Sequence, residues 1–344
     1  MVGPVKILIL KPSSLGDVIH ALPVLRLLRL EFPEARIDWW ILRGLMPLLE
    51  GDPDVRRLIP FDRKDWGKPR HWPSVVRLVR ELRAERYDWI LDLQGLARSA
   101  VFGRACGGAR FVGVCDWREL APVFHGESVP RPSPQTHAVD WQRALLTHLG
   151  VPLRTGWEWI PRRTAAAEQL DRDFPELSLD RWIGLQPGAR WDNKRWPVAR
   201  FAELVGLLSQ SHPEHRIAVF GGGDDRALGQ AIAQAHPARC LDLTGRVSLP
   251  GMIEALRRMD LLVTNDTGPM HVAAALGKPV VALFGPTDPL RTGPYGQVEF
   301  ALRAPQPPAC APCLKPVCRH SESLACLNRI TPAQVVSAVA ARLR

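Results

Sequence analysis

No apolar run in this 344-residue chain is long enough to cross a bilayer. A spanning helix needs ~20 consecutive apolar residues, and runs such as Lys278–Phe284 stop far short of that. The N-terminus, MVGPVKILILKPSS, carries no signal-peptide cleavage pattern and leads directly into a strand. There is no internal repeat of solenoid period and no recognisable nucleic-acid-binding module. Together these absences predict a soluble, cytoplasmic protein and set a basic nucleic-acid-binding protein far behind other readings. Cysteine is modest at seven, and in a cytoplasmic chain a disulfide framework is not expected. Four of the seven, Cys310, Cys313, Cys318 and Cys326, follow C-x2-C-x4-C-x7-C. That matches no standard finger spacing, and leaves two readings: a structural zinc site or free thiols.

What is present is alternation. KILIL (Lys6–Leu10) reads as a buried strand, followed by the helical spacing of DVIHALPVLRLLRLEFP; RIDWWIL, a helix in HWPSVVRLVRELRAERY, and the strand DWILDLQG come next. Periodicity lapses over Val151–Arg163, where Pro, Gly and Thr collect, and then a second alternating series begins. This pattern predicts βαβ units, mostly parallel sheets and two α/β domains. The boundaries expected are 1–155 and 156–330, with a final helix over 331–344 that Thr331 caps and Pro332 opens. A net charge of +10, rich in arginine, suits anionic partners or an Arg-rich proteome equally.

In open parallel sheets, ligands bind outside the carboxyl ends of strands, and four polar turns fall there. In NDTGPMHVAAALGKP, a strand runs into a helix with Thr267 or Gly268 as N-cap and Gly277 as its stop. A helix start of this kind offers unpaired N–H groups and a positive dipole end to a phosphate. Gly268 admits close approach, His271 can donate to an oxygen, and Asp266 can accept from sugar hydroxyls. In GLQPGARWDNKRWP, Lys194 is placed to pair with a diphosphate. In VFGGGDD, Asp224 or Asp225 follows three glycines as a ribose contact or a helix cap. In KPSSLGDVIHALP, Asp17 lies at a helix start and is either a cap or a general base.

Taken together and in order, KPSSLGDVIHALP, DLQGLARSA, HAVDWQRALLTHLG, KRWP, NDTGPMHVAAALGKPVVALFGPTDP and the terminal cysteines resemble glycosyltransferase family 9, the ADP-heptose:lipopolysaccharide heptosyltransferases, with DLQGLARSA closer to heptosyltransferase I. The resemblance implies a GT-B fold: two Rossmann-like domains with parallel sheets facing a central cleft, acceptor on the N-terminal one, donor on the C-terminal one, and the last helix packed back on the N-terminal domain. It implies inverting, metal-independent transfer of heptose from ADP-heptose to Kdo-lipid A, peripheral to the cytoplasmic face of the inner membrane, with no cofactor beyond the donor. By the same resemblance Asp17 is the base. Lys194, Thr267, Gly268 and His271 hold the diphosphate, Asp266 lies near the donor sugar, and Lys11, Ser14, Arg63 and Lys64 meet the acceptor. The chain departs from the family at Ala189 and Arg190, which stand where phosphate-binding threonines are usual; backbone N–H groups or the Arg190 guanidinium are candidate substitutes. It also carries Asp224, with Asp225 as rival, where the ribose residue is usually Glu. Another nucleotide-sugar donor or acceptor within the family is the alternative reading.

Overall fold

The computed structural model describes residues 4–66 and 68–343, the side chains of Lys64, Asp65 and Arg118 excepted. The chain divides into two compact units, Met1–Pro161 and Arg162–Arg344. The division lies inside the aperiodic Val151–Arg163 stretch, somewhat later than 155/156. The reason is local. Ile160 is buried, and the buried Arg26 guanidinium donates to the Trp159 carbonyl at 3.0 and 3.2 Å, which ties this segment to the N-terminal unit.

The N-terminal unit is a six-stranded parallel sheet: β1 (Lys6–Leu10), β2 (Arg36–Leu42), β3 (Arg57–Phe61), β4 (Tyr87–Asp92), β5 (Gly108–Cys115) and β6 (Glu127–Pro130). Their order is β3-β2-β1-β4-β5-β6, so the chain reverses direction across the sheet beside β1. A strand covered on both faces reads as a near-continuous apolar run, and in β1 Ile7, Leu8, Ile9 and Leu10 are all fully buried. Each such side chain contributes roughly 1.5–3 kcal/mol on burial. Trp40 of β2 closes one face by stacking on Phe102, with ring centroids 4.6 Å apart.

The C-terminal unit repeats the plan with β7 (Arg181–Gln186), β8 (His215–Val219), β9 (Cys240–Asp242), β10 (Leu261–Asn265), β11 (Val280–Leu283) and β12 (Ala301–Leu302), ordered β12-β11-β10-β7-β8-β9 and parallel throughout. The final helix, Pro332–Arg342, opens with Thr331 as N-cap and a capping box to Gln334. It packs on the helix Val198–Ser211, and its Val335 and Val339 are wholly buried in the core of the C-terminal unit. The helix's apolar stripe completes the core of its own unit.

Candidate active site

Because both sheets are parallel, the carboxyl ends of the strands in each unit share one edge, and the polar turns gather there. In the N-terminal unit, Lys11 directly follows β1, and Ser14 is the N-cap of the helix Leu15–Glu31. Asp17 is the third residue of that helix rather than its cap. Its Oδ2 accepts from the Ser14 N–H at 2.8 Å and the Ser14 hydroxyl at 2.7 Å. This reciprocal arrangement holds the carboxylate at the helix start, while nearly half of the side chain remains solvent-accessible. The Lys11 ammonium lies 3.9 Å from Asp17 Oδ1. Lys11 is itself buried and donates to the Leu93 carbonyl at 2.7 Å. Burial pushes its pKa down, against the opposing pull of the Asp17 and Asp92 charges.

Behind Lys11 is a buried network that the sequence reading missed. Asp92 ends β4 with no exposed surface. Its Oδ1 accepts from the N–H groups of Gln94 and Gly95, and its Oδ2 from Ser99 Oγ and His125 Nε2, all at 3.0 Å. Gly113 of β5 makes the histidine's approach possible: a Cβ there would lie 2.1 Å from the His125 ring. Gly113→Ala is therefore expected to displace His125 and cost about 1–3 kcal/mol. Chemical denaturation of the variant checks this; a midpoint equal to the parent's would show that the ring moves aside freely. The available sequence signal was an Asp at a strand end with Gly three residues on and Ser seven residues on. Nothing local pointed to His125.

In the C-terminal unit, Asp266 follows β10 and is buried. Its Oδ2 accepts from Lys194 Nζ and from Thr287 Oγ1, each at 2.6 Å. Lys194 also sits over the Trp191 ring, 4.8 Å from its centroid. Fully buried Asn265 binds two turns into one platform, accepting from the Trp196 N–H at 3.1 Å and donating to the Pro187 carbonyl at 2.6 Å. Next to this cluster begins the helix Gly268–Ala275. Thr267 is its N-cap in extended conformation, its hydroxyl makes no cap bond, and Pro269 takes the second helical position. The helix start thus presents backbone N–H donors beside a lysine, in the way an anion requires.

The remaining expected residues are placed as follows. His271 is buried in the first turn of that helix. Arg190 is exposed, and the neighbouring Ala189 carbonyl accepts from Arg195 Nε at 2.9 Å. Asp225 is occupied structurally: its carboxylate accepts from the Gly222 N–H at 3.1 Å and packs where a Cβ on Gly188 would come within 2.3 Å. Asp224 is exposed beside it. Arg63 is exposed on the short helix Arg63–Trp66, just past β3, whereas the Lys64 side chain lies outside the described residues. Thr287, Trp191 and Asn265 are additional members that the sequence reading did not single out.

The four clustered cysteines and His320 line one pocket. All seven cysteines are free thiols, and burial together with the neighbouring thiols pushes the Cys326 pKa up. Among the described residues, no group of three or more His, Cys, Asp or Glu side chains is set to hold a metal ion.

Two Rossmann-like units, each with its polar residues at the carboxyl edge of a parallel sheet, define a GT-B glycosyltransferase architecture. The family model Glycosyltransferase family 9 (heptosyltransferase) matches residues 75–323, and the chain belongs to that family. It is 31% identical to lipopolysaccharide heptosyltransferase 1 of Pseudomonas aeruginosa, over 98% of each chain. With lipopolysaccharide heptosyltransferase 1 of Escherichia coli K12 the identity is 30%, covering 88% of this chain and 94% of that protein. Among solved structures, a family 9 glycosyl transferase from Veillonella parvula superposes with a TM-score of 0.85 at 26% identity, covering 100% of this chain and 98% of that one. The E. coli heptosyltransferase WaaC solved with ADP superposes at 0.77 and 27% identity, covering 98% of this chain and 99% of that one.

Proposed function

We propose that this enzyme transfers heptose from ADP-heptose to a Kdo-terminated lipid A acceptor in lipopolysaccharide core synthesis, by inverting displacement and without a catalytic metal. The observation that carries the reading is the Lys194–Asp266–Thr287 cluster beside the helix start at Gly268, in a chain similar to enzymes named for this transfer. A relative has been solved with ADP-2-deoxy-2-fluoro heptose, which supports the same class of donor here.

The chemistry follows from the residues. Asp17 takes a proton from an acceptor hydroxyl held by the N-terminal unit, with Ser14 fixing the carboxylate and Lys11 as its electrostatic partner. The hydroxyl oxygen attacks the anomeric carbon as the bond to the diphosphate breaks, so negative charge grows on the departing ADP. Lys194, the Gly268 N–H and the helix dipole meet that charge more strongly in the transition state than in the ground state. The incoming diphosphate competes with Asp266 for Lys194, and Asp266 turns to the sugar hydroxyls. Arg190 and His271 are further diphosphate contacts, Asp224 is the ribose contact, and Arg63 and Lys64 are assigned to acceptor binding.

The experiment is a mass spectrum of Kdo-terminated lipid A incubated with the enzyme and ADP-heptose, with no metal added. A gain of one heptose is expected. An unchanged acceptor with ADP still bound would overturn the substrate assignment and favour another nucleotide sugar within the family.

A further inference from the structure

The loop that carries the four clustered cysteines lies against the back of the donor cluster. Its consecutive residues Leu314 and Lys315 each make one hydrogen bond to a segment that supplies that cluster. The Leu314 N–H donates to the Pro286 carbonyl at 2.8 Å, one residue before Thr287. The Lys315 carbonyl accepts from Asn193 Nδ2 at 2.7 Å, one residue before Lys194. Thr287 and Lys194 are the two side chains that share Asp266 Oδ2. Asn193, Pro286 and Lys315 also line one pocket of about 190 Å3 together with the cysteines. Packing beside it is tight: a Cβ on Gly285 would lie 2.9 Å from Cys326 Sγ and 2.8 Å from Leu327 Cγ.

Asn193 is the unusual member of this group. It is only 5% exposed, and its Oδ1 is buried with no hydrogen-bond partner among the described residues. A buried amide oxygen without a partner is a cost that an apolar residue of similar size would not carry. What the asparagine adds is its donor, and that donor goes to the loop. The loop meets it in a disfavoured conformation of its own, since Leu314 holds left-handed backbone with φ of 54°. Two locally unfavourable features thus adjoin a single hydrogen bond, next to the residue assigned to the diphosphate. Contacts at the far end of Lys194 do not replace that bond. Its Nζ is held by Asp266, and the incoming diphosphate competes with Asp266 for the same ammonium. Lys194 must then be aimed from its backbone, which lies in the single turn Asp192–Lys194. A turn this short has too few internal hydrogen bonds to be rigid alone.

We propose that Asn193 is a positioning residue for donor binding: anchored to the cysteine-bearing loop through the Lys315 carbonyl, it fixes the turn that aims Lys194 at the diphosphate, without touching the donor itself. The inference rests on the proposed diphosphate role of Lys194 and deepens it.

The test is calorimetric titration of ADP and of AMP into the full chain and into its variants Asn193→Ala, Lys194→Met and the two combined. AMP lacks the second phosphate, so its binding checks that each variant keeps its fold and its nucleotide site. One neutral hydrogen bond is worth about 2- to 12-fold. Asn193→Ala is therefore expected to weaken ADP by that factor and to leave AMP unchanged. In the Lys194→Met background the same substitution should change nothing further, because its effect passes through Lys194. An asparagine that only supports the fold would weaken both nucleotides alike, or would weaken ADP equally with and without Lys194. Either result would overturn the proposal, as would parent-like ADP binding by Asn193→Ala. A Lys194→Met variant that kept the full preference for ADP over AMP would instead remove the diphosphate assignment itself, and the inference with it.

Discussion

Asp17→Asn is expected to lower turnover by about 100- to 10,000-fold, the range for losing a general base, while ADP binding stays within about twofold of the parent. Asparagine is chosen over alanine because of what Asp17 does in the fold. Its Oδ2 receives two hydrogen bonds from Ser14 at the start of the helix Leu15–Glu31. Alanine would remove a capping partner and cost about 0.5–2 kcal/mol of stability, mixing a structural loss with a chemical one. Asparagine keeps an oxygen for the Ser14 N–H and removes the basicity. Rapid-quench kinetics with ADP-heptose and titration calorimetry with ADP separate the two contributions. Turnover within threefold of the parent would remove Asp17 from the chemistry and leave it the partner of the Ser14 cap.

The second large effect concerns the donor side. Lys194→Met is expected to lower kcat/KM by about 100- to 1,000-fold, the loss typical of a charge-stabilising donor. It should also destabilise the C-terminal unit. Asp266 is buried, and with Lys194 gone it keeps Thr287 but loses the cation that pairs with it. Stranding a buried charge costs about 3–5 kcal/mol. The double variant Lys194→Met, Asp266→Asn removes both charges and is expected to regain most of that stability without regaining activity. Thermal unfolding and steady-state kinetics on the three proteins read the two outcomes independently. Recovery of activity in the double variant would mean that the pair serves only to hold the platform together.

How much of this was legible beforehand depended on distance along the chain. Near-continuous apolar runs such as KILIL and the LLV of DLLVTN declared their strands, because a strand buried on both faces is mostly apolar. The edge strands did not: β9 and β12 have three and two residues, and β3 contains Pro60. Asp17, Lys194 and Asp266 could be singled out as candidates at strand ends, because turn residues and helix starts have local rules. The pairings were not. Lys194 and Asp266 stand 72 residues apart, and Asp92 and His125 stand 33 apart. Only the sheet brings such partners to one edge. The placement of the last helix was hidden for a similar reason. Its amphipathic spacing shows that one face is buried but not which core receives it.

The strand order has a consequence for how the chain is made. β1 lies between β2 and β4 and pairs in register with both, Ile7 opposite Ile37 and Trp89. During synthesis β2 arrives early, but β4 is complete only at Asp92. At about 5–20 residues per second, the inner edge of KILIL waits several seconds at the ribosome with its backbone unpaired. The same delay recurs when β7 waits for β10. Ribosome-bound chains halted before Asp92 should therefore be cut readily by protease, and those halted after the N-terminal unit has cleared the tunnel should resist it. The most apolar strands of this enzyme are thus the ones that a holding chaperone has most reason to meet.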